Sequence, residues 1–233
     1  MSETSEILAK SFKLLRAEPR LFLPKLASTF LSSIWLLSFA SKQISTTQAL
    51  VSLPIISLLG VFVSLMVASM VKNKESDNIL KIGFLEALRN WRKILITSLI
   101  FILIVFLITL PFSIGFALYI RSGNVIALSI GFITTLLLIV ALGFLSYFLP
   151  ITLLEYNSVF GGFKESMRTS TKSSKTVLAL TFFSIVVFLF AYGSSKSFQA
   201  LGYTIFLSAR LIASTVNTYL FVISPSYYLD QKN

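Results

Sequence analysis

Six stretches of this chain stay apolar for long enough to cross a lipid bilayer, and that leaves few folds open. A hydrocarbon core of roughly 30 Å takes about 20 apolar residues of helix per crossing. Residues 50–71, 94–120, 125–149 and 203–224 meet this outright. Residues 21–40 and 176–193 are shorter, at 20 and 18 residues, and still sufficient. Lys25 stands near the start of the first of these, where its aliphatic stem can carry the ammonium to the headgroups. Hydrocarbon offers no partner to bare backbone amides, so such runs must be helices. The expected fold is an all-α integral membrane protein with six transmembrane helices. Composition agrees, since only 12% of residues are charged where soluble domains carry about 25%. An alternative exists for residues 26–37, which with Ser38-Phe39-Ala40 resemble a signal-peptide core and cleavage site. The eight charges of both signs in residues 1–25 weigh against it.

Charge gives the orientation. Residues 1–25, 72–93, 155–175 and 230–233 hold 16 of the 20 Lys and Arg, and the opposite connections hold only Lys42, Arg121 and Lys196. Lys and Arg in short loops stay on the cytoplasmic side, so both termini are expected there, in a multi-pass protein of the cell membrane. The twentieth cation, Arg210, falls inside the last span.

An internal repeat organises the chain. Gly83-Phe84-Leu85-Glu86-Ala87-Leu88-Arg89 recurs as Gly162-Phe163-Lys164-Glu165-Ser166-Met167-Arg168, 79 residues later. One further step back places Lys10 opposite Arg89 and Phe12 opposite Trp91, in a degenerate first copy. Repeats reuse one structural unit. The single domain 1–233 therefore divides into units of approximately 1–75, 76–154 and 155–233, each an amphipathic helix followed by a transmembrane hairpin. At about 100° per residue, Ile7, Leu8, Phe12, Leu14 and Leu15 share one arc of the first helix, and Lys10, Lys13, Arg16 and Arg20 the other. In the second, Phe84, Leu88, Trp91 and Leu95 oppose Glu86, Arg89 and Lys93. In the third, Phe160, Phe163 and Met167 oppose Lys164, Arg168, Lys172 and Lys175. Such helices lie in the headgroup plane, cations toward phosphate. The Glu86/Arg89 and Glu165/Arg168 pairs at i,i+3 add about 0.2–0.5 kcal/mol each. Lys10, Lys13, Arg16, Arg89, Lys93, Lys164, Arg168 and Lys172 are the expected contacts for anionic lipid. A plainer role also fits these helices, that of anchoring and orienting the hairpins.

Little here can carry chemistry. The chain has no Cys and no His, which removes thiolate and imidazole nucleophiles, bases and metal ligands. All nine carboxylates fall in cytoplasmic segments or at cytoplasmic span ends, whereas ion-coupled transporters place an acid near the midplane. Glu75 and Asp77 read as a solvated loop. No enzyme, cofactor or metal is expected. Arg210 is the exception, because an intramembrane ionisable group is a functional hypothesis by default. Arg210, Ser214 and Asn217 lie at i, i+4 and i+7, one helical face, and Thr134, Thr135 and Tyr192 are the polar groups of other spans that could converge on it. Gly60, Ser64 and Ala68 repeat at i+4 and read as a helix-packing face. Pro54, Pro111, Pro150 and Pro225 interrupt or end spans, with Pro150 and Pro225 as stops or kinks.

Pro19-Arg20-Leu21-Phe22 after a basic amphipathic start, Phe148-Leu149-Pro150 leading into residues 162–170, and Tyr227-Tyr228-Leu229-Asp230 after the last span resemble a prokaryotic six-helix membrane family. That family includes YciC-like proteins and the membrane domain found beside glycerophosphodiester phosphodiesterases. The resemblance implies six spans with cytoplasmic termini. It brings no activity, since a phosphodiesterase domain needs carboxylates and His.

The expected function is a non-enzymatic scaffold, or a module organising lipids or other membrane proteins. The alternative is a small transporter or lipid-handling protein with a polar site around Arg210. Despite a net charge of +11, the cations hug the membrane, so anionic lipid headgroups rather than nucleic acid are the expected partners.

Overall fold

The computed structural model describes residues 3–41, 43, 45–199 and 202–232. Lys42 and the side chains of Tyr192 and Lys196 lie outside the described residues. The described residues form ten α-helices and a short 3₁₀ turn, with no strand among them. In order these are α1 (Glu3–Ala17), the turn (Pro19–Phe22), α2 (Leu23–Ala40), α3 (Thr46–Lys72), α4 (Ile79–Arg89) and α5 (Trp91–Ser122). Then come α6 (Val125–Leu145), α7 (Leu149–Glu155), α8 (Val159–Lys172), α9 (Ser174–Gln199) and α10 (Tyr203–Asp230). Five segments are long and apolar enough to cross a membrane: Pro19–Phe39, Pro54–Lys72, Trp91–Ser122, Val125–Glu155 and Tyr203–Asp230. The chain is thus an all-helical protein with the makeup of a membrane protein. Along α9 the apolar stretch of described residues is Ser174–Val187, shorter than a span.

Helix boundaries follow local chemistry. Ser45 begins α3 with a reciprocal cap, its hydroxyl accepting from the Gln48 amide and the Gln48 side chain accepting from the Ser45 amide. Asn124 and Ser158 cap α6 and α8 through the amides of Ala127 and Gly161. Gly123 closes α5 in the left-handed conformation at φ 68°, which glycine adopts without a Cβ penalty. Of the two prolines expected to stop or kink a helix, Pro150 and Pro225, neither ends one. Pro225 lies inside α10, which continues to Asp230, so it stops nothing. Pro150 instead opens α7, where its missing N–H costs nothing, after α6 has already ended at Leu145.

Pro111 interrupts the α5 ladder, and α6 repairs it. Thr135 Oγ1 donates to Ile108 O and accepts from the Phe112 amide, both at 3.2 Å. Freed backbone groups in a span need such a neighbour. The same two helices approach closely at glycines. A Cβ on Gly115 would stand 2.5 Å from Ala127 O, and one on Gly131 2.4 Å from Pro111 O. Gly60 is different: a Cβ there meets nothing within 4 Å. Of the proposed packing face, Ala68 is wholly buried and Ser64 half-buried, while Gly60 is exposed.

The densest packing gathers at one end of the bundle. Leu21, Leu65, Met70, Ile79 and Leu153 form one buried cluster, and Phe148, Ile151, Leu180, Tyr227 and Tyr228 a second. Phe148 packs its ring 5.7 and 5.8 Å from Tyr227 and Tyr228, contacts worth about 0.5–1.5 kcal/mol beyond burial. Pro-Arg-Leu-Phe is a clamp at this end. Leu21 is fully buried, and Arg20 donates to Asp77 O at 2.7 Å while pairing with Glu18 at 2.8 Å. The first and last helices meet here too, as Lys10 Nζ lies 2.7 Å from Asp230 Oδ1. By contrast α5 and α6 show large apolar side chains outward, with Phe106 and Leu137 more than 60% exposed. Soluble monomers rarely expose apolar surface on this scale.

Candidate functional site

Arg210 reaches across from α10 to α2. The local reason is a Ser-Thr-x-x-Ser-Ser pattern, Ser28-Thr29 and Ser32-Ser33, which puts hydroxyls one turn apart along α2. Ser33 Oγ donates to Thr29 O at 2.6 Å and Ser32 Oγ to the same carbonyl at 3.0 Å. Back-bonding of this kind settles the hydroxyl protons inside the helix and leaves oxygen lone pairs free to accept. Arg210 uses them, with Nε donating to Ser33 Oγ at 2.7 Å and Nη2 to Ser32 Oγ at 3.4 Å. One turn along, Thr29 Oγ1 donates to Ser214 Oγ at 2.9 Å, and Thr218 Oγ1 returns to Ser214 O at 2.9 Å. Ser33 and Thr218 are fully buried, and Ser214 is 1% exposed, so the seam is closed at that level.

The electrostatics of the seam are one-sided. The Arg210 guanidinium lies 5.7 Å from the Phe206 ring, and Lys25 Nζ lies 4.4 Å over Phe221 on the same α2–α10 face. Among the described residues neither cation has an ion-pair partner. Two cations with no acid beside them make a setting that an anion satisfies and a further cation does not, while the aromatic faces and hydroxyl lone pairs serve the cations already there.

Of the residues the sequence grouped here, Arg210 and Ser214 come together. Asn217 is half-buried and takes no part in the network. Thr135 belongs to the Pro111 repair, and Thr134 is half-buried on the same helix. Thr29, Ser32 and Ser33 were missed, although four hydroxyl residues inside a span were a visible signal.

The basic residues separate into engaged and free. Lys10 pairs with Asp230, and Arg168 with Glu165 at 2.8 Å. Lys93 turns inward and donates to Leu153 O and Tyr156 O, both at 2.8 Å, closing the end of α7. Lys13, Arg16, Arg89, Lys164 and Lys172 are exposed. The Glu86/Arg89 pair does not form. Instead Glu86 accepts from the Ser69 hydroxyl and, at 3.4 Å, from Asn73 Nδ2, which fastens α4 to the end of α3. Burial alone would lift the Glu165 carboxyl, but the Arg168 hydrogen bond and charge outweigh it and hold Glu165 below the ordinary carboxylate range. Burial likewise opposes Lys232, and its contacts with Glu155 and Tyr228 prevail to raise it.

The fold and the seam describe an α-helical membrane protein with basic short helices at one end and an unpaired arginine in a span. Comparison with known proteins finds no family model, no curated protein and no solved structure that matches the chain.

Proposed function

We propose that this chain is a non-enzymatic membrane module of six spans in three hairpins, kin to the six-helix family it resembles, that organises anionic lipid or other membrane proteins from its cytoplasmic face. The observation that carries the reading is the surface of α1, α4 and α8. Each exposes apolar side chains beside cations: Phe12 with Lys13, Phe84 and Leu88 with Arg89, Phe160 and Met167 with Lys164. Apolar groups that protein covers only in part, placed next to charge, suit the boundary between acyl chains and headgroups. Two further facts support the architecture. The Lys10–Asp230 contact puts the two termini side by side, as an even number of crossings requires. The glycines of the two clear repeat copies do the same work, a Cβ on Gly83 meeting Met70 Cγ at 2.5 Å and one on Gly162 meeting Leu153 Cδ2 at 3.1 Å.

Single cysteines in this cysteine-free chain test the topology. Cysteine at Arg121 should label from outside intact cells, and cysteine at Lys13 or Lys172 should not; the reverse pattern ends the model. Lipid organisation is tested by changing the free cations Lys13, Arg89, Lys164 and Lys172 together to Gln. Each basic residue near an anionic leaflet is worth about 1 kcal/mol, so co-purified anionic lipid should fall steeply. Unchanged lipid content refutes that half of the proposal.

The second reading is a transporter or lipid-handling protein that uses Arg210 as an anion site. The observation favouring it is a cation within a span with hydroxyl partners and no acid among the described residues.

A further inference from the structure

A groove of about 720 Å³ runs between α1 and α10, lined by Leu8, Ala9, Phe12 and Arg16 on one side and Thr215, Val216 and Tyr219 among its other walls. Its volume lies within the roughly 300–1,000 Å³ of small-molecule sites. Its walls are fixed. Tyr219 Oη donates to Leu8 O at 2.6 Å, and Phe12 packs edge-on against the Tyr219 ring at 6.5 Å. Thr215 spends its hydroxyl proton on Leu211 O at 3.1 Å. The lining is therefore almost wholly apolar, yet Phe12 remains 62% exposed and Val216 44% exposed. The exception is Arg16. Four residues of helix separate it from Phe12, so it stands at the edge of the polar arc nearest that side chain and supplies the cation of the lining. Of the other cations of this segment, Lys10 is engaged with Asp230 and Arg20 with Glu18, and Lys13, though free, does not line the groove. Arg16 has no ion-pair partner among the described residues.

We infer that this groove holds an acyl chain of an anionic phospholipid whose phosphate sits on Arg16. The inference rests on the reading above, in which α1 lies at the headgroup level and α10 crosses the bilayer beside it. A single cation in the lining of an apolar cleft, at the height where chains become headgroups, matches the charge layout of one phospholipid. Guanidinium also pairs with phosphate in bidentate fashion, which makes arginine the stronger choice over lysine there.

The test uses the full chain in phosphatidylcholine vesicles containing a minor fraction of phosphatidylglycerol. The native tryptophans are Trp35 and Trp91; with both changed to Phe, Phe12→Trp reports on the groove alone. Bromine on the phosphatidylglycerol chains should quench this tryptophan about five-fold more effectively, per lipid, than bromine on phosphatidylcholine chains, the ratio that about 1 kcal/mol of preference gives. Arg16→Gln should bring the two lipids level, and Val216→Phe should weaken quenching by both. Equal quenching in the protein that keeps Arg16 overturns the inference. Native mass spectrometry of the chain with its own tryptophans, loaded with phosphatidylglycerol, gives a second measure, in which Arg16→Gln should release the last retained lipid; retention equal to that of the parent also overturns it. Loss of total anionic lipid in the four-Gln variant together with equal quenching at the groove removes this site and leaves the general proposal standing. The opposite combination removes the general proposal alone.

Discussion

Arg210→Met asks whether the arginine is kept for stability. Its contacts are one good hydrogen bond to Ser33 Oγ at 2.7 Å, one at the long limit to Ser32 Oγ at 3.4 Å, and a cation over Phe206 at 5.7 Å. Hydrogen bonds between membrane helices average about 0.6 kcal/mol and reach about 1.7, so the pair is worth about 1–2 kcal/mol. The ring contact adds about 0.5 kcal/mol. Against this stands the cost of a cation in a span, about 2.5–3.5 kcal/mol at the helix centre. Arg210 lies seven residues from the start of α10, about 10 Å of rise, which favours the lower end of that range. Methionine fills much of the same volume, and it orphans nothing, since Ser32 and Ser33 still donate to Thr29 O. The terms nearly cancel. Arg210→Met should therefore unfold within about 1 kcal/mol of the parent in mixed micelles titrated with a denaturing detergent and followed by helicity. A loss beyond about 2 kcal/mol refutes the reasoning and makes Arg210 the principal tie between α2 and α10. A neutral result means that stability does not account for the charge, and the anion-site reading gains.

Gly131→Ala should cost about 1–3 kcal/mol by pushing α5 from α6, whereas Gly60→Ala should cost nothing; thermal unfolding of both variants in detergent checks the contrast. Leu21→Ala should lose about 2–5 kcal/mol, since the side chain is fully buried where the 3₁₀ turn meets α3 and α4; the same unfolding assay decides. Glu165 has a folded-state pKa depressed below its ordinary 4.5, so its contribution is complete above that value and disappears as pH falls through the folded one. Acid titration of amide exchange in α8 should show this loss, and Glu165→Gln should abolish that part of the pH dependence.

Five of the spans were legible because their signal is crude, length and apolarity alone deciding whether a helix survives in hydrocarbon, whereas the apolar stretch described along α9, Ser174–Val187, is shorter than the sixth span expected. The short helices α1, α4 and α8 were legible by the alternation of charge and apolarity every turn. Their details were less so. The apolar stripe from Phe84 to Leu95 reads as one helix, but the chain breaks at Asn90, with Phe84 and Leu88 on α4 and Trp91 opening α5. Lys93 lies on the stripe's polar side by periodicity, yet bare carbonyls at the end of α7 drew it inward, and no local pattern encodes a partner 60 residues away.

Helix packing was the least legible part, and the reason is physical. In water, an apolar face marks the protein side of a helix. In a bilayer, lipid tails are as apolar as leucine, so hydropathy does not say which face meets protein. The remaining signal is size, because only small residues let two backbones approach. Gly60, Ser64 and Ala68 carry that signal at i+4 and pack only in part, whereas Gly115 and Gly131 sit on different helices with no spacing to link them and make the closest glycine-to-backbone approaches among the described residues. Hairpin geometry supplies the seam: Gly123 sets the turn, and antiparallel α5 and α6 lay Gly115 against Ala127 and Leu128 and Gly131 against Pro111 and Phe112, about one helical turn apart. Small residues on both arms of a hairpin, each facing the other arm's backbone, therefore mark this seam better than a small-residue stripe along one helix. That geometry predicts that Gly115→Leu opens the seam, its side chain driven into the Ala127–Leu128 backbone, measurable as the loss of an α5–α6 cysteine cross-link.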